Sequence, residues 1–324
     1  MNFAIKAACA ATIGFVLAAG AATRAEAACG LTLVGSYDMV DTSNGEVGIN
    51  IQIGSETKLL LVDTGAWFSF LSTETVGEMK LPTRSMGDQF VSYDAYGGRT
   101  STVATAPSIT IGPLQVTAVD FVVAPPGHKF GKGVSGLLGA NVLKHFDIEL
   151  DFAKKKLNFF DPDHCPGQVV YWTQSGSAHL PFKFDGSAIT LPVQLDGKEL
   201  WAQVDTGAFA STLSTPMALQ VFGLSPTSPK VVHHDYTADD GSKRTDDTYT
   251  FDALYFGGIS ISNPPLHLIP DTMGKAVRAD YGRSENVPLP HLPAILLGIE
   301  ELRHLHLYIA YQEKVLYVTA ADAH

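Results

Sequence analysis

Two stretches of this chain repeat one another in the same order and without gaps. Val47-Gly48-Ile49-Asn50-Ile51-Gln52-Ile53 leads to Val62-Asp63-Thr64-Gly65-Ala66 and then to Leu71-Ser72-Thr73. At an offset of 142, Ile189-Thr190-Leu191-Pro192-Val193-Gln194-Leu195 leads to Val204-Asp205-Thr206-Gly207-Ala208 and Leu213-Ser214-Thr215. A second block repeats at an offset of 159: Leu137-Leu138-Gly139 with residues 140–145, and Leu296-Leu297-Gly298 with residues 299–304. Such self-similarity marks a duplicated unit. The two halves must therefore share one fold, and equivalent loops can meet on a pseudo-twofold axis.

Within each copy the apolar residues alternate with others, the pattern of half-buried strands, and Gly, Asp and Asn separate the runs. This predicts a mainly β chain with one short helix per half, over 140–145 and 299–304. Alternation resumes after each, at Phe146, Ile148, Leu150 and Phe152 and at Leu305, Leu307, Ile309 and Tyr311. Ile109–Gly112 aligns with Leu254–Gly257 at an offset of 145. Most of the growth in offset, from 142 to 159, therefore falls after that strand, and Pro270–Pro293 reads as a surface loop by its Pro, Gly and charge content. The expected boundaries are a signal peptide at 1–27, lobes at 28–165 and 179–324, and a linker at 166–178.

The signal assignment rests on Lys6, the Ala-rich run Ala7–Ala22, and the A-x-A pattern of Ala25 and Ala27. That run is shorter than the roughly 20 residues of a spanning helix, so no membrane span is expected after cleavage. A lipid on Cys29 is the alternative, disfavoured by the charge of nearby Glu26. The protein is expected to be exported, to a periplasm or beyond. Cys9 departs with the signal, and the remaining pair, Cys29 and Cys165, is expected to form one disulfide in an oxidising setting. The net charge of −11 and the lack of a basic patch argue against nucleic acid or anionic membrane as partners.

A single Asp-Thr-Gly is a common turn. Here two apolar strands, Leu59–Val62 and Leu200–Val204, deliver the same acid twice. Two carboxyls held together cannot both ionise cheaply, so they share a proton and titrate as a pair. The charged member can take a proton from water while the neutral one donates to a carbonyl. Gly65 and Gly207 would let backbone approach the acids, and Thr64 and Thr206 would bond between the loops.

With Asp63-Thr64-Gly65-Ala66, Asp205-Thr206-Gly207-Ala208 and the two Leu-Leu-Gly segments, the chain resembles the retropepsin-like aspartic proteases. The tandem form is similar to the two-lobed pepsins and looks like a bacterial-type exported aspartyl protease. The resemblance covers nearly all of the chain after residue 27. It implies two pseudo-twofold-related β-barrel lobes, an extended protein or peptide substrate between them, and Asp63 and Asp205 as a catalytic dyad. It implies an aspartic endopeptidase without a cofactor, and a monomer whose lobes pair within one chain. By the same analogy Thr64 and Thr206 interlock beneath the acids, and the Leu-Leu-Gly segments pack under the loops. Flap hairpins would lie at 91–98, with Tyr96, and at 233–241, with Tyr236. Ala66 and Ala208 replace a hydroxyl found in many pepsins, which implies a working pH less acid than a stomach pepsin's. The alternative is a catalytically inactive peptide-binding module of the same fold. His145 and His304 read as helix-end residues. Neither His233-His234 nor His164 beside Cys165 fits a metal-ligand spacing, so no metal is expected.

Overall fold

A computed structural model describes residues 30–87, 92–93, 98–185, 188–237, 243–270 and 293–322. The proposed signal segment, Cys29, Tyr96 and most of the Pro270–Pro293 loop lie outside the described residues.

In the first half, strand Val47–Ile53 turns its isoleucines inward and exposes Asn50 and Gln52, as its alternation dictates. It neighbours Glu56–Val62, followed by Gly136–Leu138, Phe70–Leu71, Leu114–Val123 and Thr102–Ile111. The last of these pairs back onto the first, at Gln52↔Thr110 and Ile53↔Ile109, and closes a six-stranded barrel. Closure removes the unpaired edges that an open sheet would leave.

The second half follows the same order through Ala188–Leu195, Lys198–Val204, Ile295–Leu297, Thr212–Ser214 and Pro265–Ile269. Its pairs Gln194↔Tyr255 and Leu195↔Leu254 reproduce the closing register of the first barrel. That agrees with the 145-residue offset read from sequence. The long hairpin Thr102–Val123, continuous in the first half, is here split into Lys243–Thr250 with Pro265–Ile269 and Ala253–Phe256 with Ile259–Ser262. Asn263 takes a left-handed conformation, φ 54°, and Pro264 has no N–H for a ladder. Bonds from Phe251 N to Pro264 O (3.1 Å) and from Asn263 N to Asp252 O (3.0 Å) carry the pairing across the break.

Among the described residues each half has two short helices rather than the single one expected. Ala140–Leu143 and Ile299–Leu302 fall where the repeat puts them, while Thr73–Glu78 and Thr215–Phe222 are additional. The Ser72 hydroxyl caps the first of these by accepting from Thr75 N at 3.0 Å. Pro216 opens the other and left-handed Gly223, φ 67°, closes it. Elements of six and eight residues are too short to show a helical period.

The halves are joined by a sheet of six strands drawn from both. Its order is Ala178–Pro181, Val315–Ala320, Leu305–Ala310, Asp147–Asp151, Lys156–Phe160 and Leu33–Asp41. The seam is antiparallel, at Ile148↔Ile309 and Leu150↔Leu307. Ile148, Leu150, Leu307 and Ile309 are fully buried in a core that runs through both lobes. Each such side chain contributes roughly 1.5–3 kcal/mol, which makes the seam strong. The segment between residues 161 and 177 has no helix or strand, yet it is no loose tether: Val169 is buried in it and Trp172 stacks on His306 at 4.1 Å.

Candidate active site

Strands Glu56–Val62 and Lys198–Val204 end at Asp63 and Asp205. Each acid is pinned from below by a Leu-Leu-Gly segment. Asp63 N donates to Leu138 O and Asp205 N to Leu297 O, both at 3.0 Å. The glycine ending each segment has a steric reason. A Cβ at Gly139 would strike the Phe68 and Ala66 carbonyls, and one at Gly298 would strike those of Phe209 and Ala210. The short helices then hold the loops from behind, through Ala140 N to Ala66 O and Ile299 N to Ala208 O, each 2.9 Å.

Thr64 and Thr206, both fully buried, knit the two loops together. Each hydroxyl accepts from the opposite threonine's amide, at 3.1 Å in both directions. Each also donates across the axis, Thr64 Oγ1 to Val204 O at 2.8 Å and Thr206 Oγ1 to Val62 O at 2.5 Å. Asp63 Oδ1 accepts from Gly65 N (2.9 Å) and Ala66 N (2.8 Å), and Asp205 Oδ1 from Gly207 N (3.0 Å). A Cβ on Gly65 would overlap the Asp205 carboxyl, and one on Gly207 the Asp63 carboxyl. Each acid thus lies over the other loop's glycine, which brings the two carboxyls together.

Residues 49–145 match a family model described as gag-polyprotein putative aspartyl protease, and residues 191–300 match one described as aspartyl protease. The chain is a tandem of two aspartyl protease domains. Its fold is similar to the crystal structure of aspartic proteinase from Irpex lacteus, with a TM-score of 0.53 and 14% identity over 89% of this chain and 97% of that one. It is likewise similar to Basic 7S globulin from soybean, with a TM-score of 0.51 and 12% identity over 91% and 96%. At such identities these two speak for the two-lobed fold alone. No curated protein sequence matches the chain.

In this tandem of aspartyl protease domains both acids bind protons more tightly than a free carboxyl does. Burial raises Asp63 well above the usual range, the charge of Asp205 and the bond to it add to this, and the Ala66 and Gly65 amides oppose it. Burial also raises Asp205, against the Gly207 amide, the bond from Asp63 and the Ala208 amide. A pair of this kind keeps one shared proton where two solvated carboxyls would have lost both.

Of the other residues singled out from sequence, Tyr236 stands exposed on the hairpin of Val232–Thr237 with Lys243–Thr250. Tyr96 lies outside the described residues, although Ser92–Tyr93 and Arg99–Thr100 pair on either side of it. His145 and His304 sit just past the ends of their helices. His164 and His233 face aspartates, Asp147 at 2.5 Å and Asp247 at 2.6 Å. Among the described residues no group of three or more His, Cys, Asp or Glu is arranged to hold a metal.

Several neighbours of the acids were not anticipated. Trp67 and Phe68 stand exposed just after the Asp63 loop. Phe209, the repeat mate of Trp67, lies against Gly45 of the other lobe. Arg303 sits over its ring at 5.5 Å and donates to Gly45 O at 3.1 Å. Both mates are aromatic at the same distance from their acids, a signal the repeat carried. Gln203 also reaches the Asp63 loop, and its alternation alone marked it as a strand residue.

Proposed function

We propose that the chain is an aspartic-type endopeptidase that hydrolyses peptide bonds in extended protein or peptide segments. The observation that carries this reading is the acid pair: two carboxyls brought together, each against the opposite loop's glycine. In the proposed reaction the charged carboxyl accepts a proton from a water molecule, which attacks the scissile carbonyl carbon. The neutral carboxyl donates to the carbonyl oxygen. A tetrahedral diol forms without a covalent bond to the enzyme, and it collapses as the amine leaves with a proton. The Thr64–Thr206 bonds hold the acids at one separation throughout, so no reorganisation is needed as charge moves between them.

The test is to express residues 28–324 and present an unfolded protein substrate between pH 3 and 8. Asp63→Asn and Asp205→Asn should each lower kcat/KM by more than about a thousandfold while leaving the circular dichroism unchanged. Binding of peptides without turnover by the unaltered protein would reject the reading in favour of an inactive binding module. Ala66 and Ala208 leave the dyad without a flanking hydroxyl, so the optimum should lie above pH 3.

The same reading includes export, with residues 1–27 removed, and a Cys29–Cys165 bridge. Support for the bridge is that Cys29 and Cys165 are the pair left once Cys9 departs with the signal, in an oxidising setting. Two free thiols on titration of the denatured, unreduced mature protein would remove it.

A further inference from the structure

Gln203 lies two residues before Asp205 on strand Lys198–Val204, and it is 8% exposed. Ala202 and Val204, on the opposite face of the strand, are fully buried in the shared core. Gln203 instead shares its face with Asp205, because strand residues two apart point the same way. Its Nε2 donates to Gly65 O at 3.2 Å, a bond that crosses from the second lobe to the first.

That carbonyl belongs to the peptide unit whose N–H, on Ala66, donates to Asp63 Oδ1 at 2.8 Å. A peptide unit is planar and turns as one body. Whatever holds the C=O of Gly65 therefore holds the N–H that faces Asp63. The repeat mate of Gln203 is Leu61, which packs in an apolar cluster of the first lobe and has no hydrogen to donate. In the second loop the Ala208 amide also reaches the main-chain carbonyl of Asp205, at 3.4 Å. The Thr64–Thr206 bonds are symmetric across the axis; the Gln203 bond is not.

The geometry points to Gln203 as a positioning residue that locks the Gly65–Ala66 peptide so that its N–H stays on Asp63 and favours the charged form of that acid. The second lobe thereby makes the two acids inequivalent. Its hydrogen bond is to Gly65 O, so Gln203 acts on Asp63 through the Gly65–Ala66 peptide.

The kinetic part of this inference rests on the peptidase reading, so the test has a second arm that does not. Gln203→Leu removes the donor and installs the side chain of its repeat mate. It should lower kcat about tenfold with KM changed less than twofold. The alkaline limb of the kcat/KM profile, set by the second ionisation of the pair, should rise by about 0.5–1 pH unit. Separately, carbon-13 NMR of the aspartate carboxyls should show the upper apparent pKa of the pair rising by the same amount. Gln203→Met, close in length and also without a donor, should behave alike. An alkaline limb and a carboxyl titration unchanged in both variants would overturn the proposal, whatever their melting temperatures. So would failure of both variants to fold, which would assign Gln203 to packing. A wild type without peptidase activity would reject the function proposed above, while the carboxyl titration would still decide on Gln203.

Discussion

Gly65 and Gly139 are both tight against the site, but for different reasons, and substitution should separate fold from chemistry. The atoms a Cβ at Gly65 would meet are those of the Asp205 carboxyl, the free end of a side chain. Asp205 can rotate away at little cost in stability, but it then leaves its partner. Gly65→Ala should therefore keep the melting temperature within a few degrees and lower kcat/KM by about a hundredfold. At Gly139 the obstacle is main chain, the Phe68 and Ala66 carbonyls, which cannot turn aside. Gly139→Ala should destabilise by roughly 1–3 kcal/mol, read from urea unfolding. Both glycines are visible in the sequence as part of the repeat. What each one abuts is not, because the atoms concerned lie 140 residues away for Gly65 and about 70 for Gly139.

At the scale of elements, the least expected feature is how segment 161–177 is held. Asp147, Glu149 and Asp151 alternate along one strand and so share one face of the inter-lobe sheet, all buried. His164 pairs with Asp147 at 2.5 Å, while His306, Tyr171 and Asn158 converge on Glu149 at 2.8, 2.8 and 2.6 Å. Burial alone would lower the pKa of His164, but the bond and charge of Asp147 outweigh it, with Glu313 adding to them, and the net shift is upward. Asp147 is also raised, by burial, against its bonds to His164 and Tyr311 N. Both groups bind protons more tightly folded than unfolded. The stability from His164 is then complete below its unfolded value of about 6.5 and is lost as pH rises through its folded value, and Asp147 acts in the same direction. The melting temperature should fall between pH 6 and 8, and less steeply in His164→Gln; an equal slope in both would reject the role of this pair. In the sequence His164 shows no metal-ligand spacing, and nothing there marks its pairing with Asp147. A segment without periodicity says nothing about what it covers.

For the whole molecule, the seam between Asp147–Asp151 and Leu305–Ala310 matters most. It fuses the lobes into one sheet and one core, so the two acid loops meet within a single chain. Specific activity should accordingly stay constant on dilution from micromolar to nanomolar enzyme, whereas pairing between chains would lose activity by mass action. A falling specific activity under conditions that prevent adsorption would contradict intramolecular pairing.

The repeat and the alternation of apolar residues determined the β class, the duplication, the 145-residue offset between the matching strands and the two candidate acids. These are properties of local period and self-similarity, and a linear string records both. Tertiary structure alone decided the second helix in each half, the split hairpin of the second lobe, the Gln203 bond to Gly65 and the burial of the Asp147–His164 pair. Each of these depends on which atoms long-range packing brings within about 3 Å. Separation along the chain does not encode that distance.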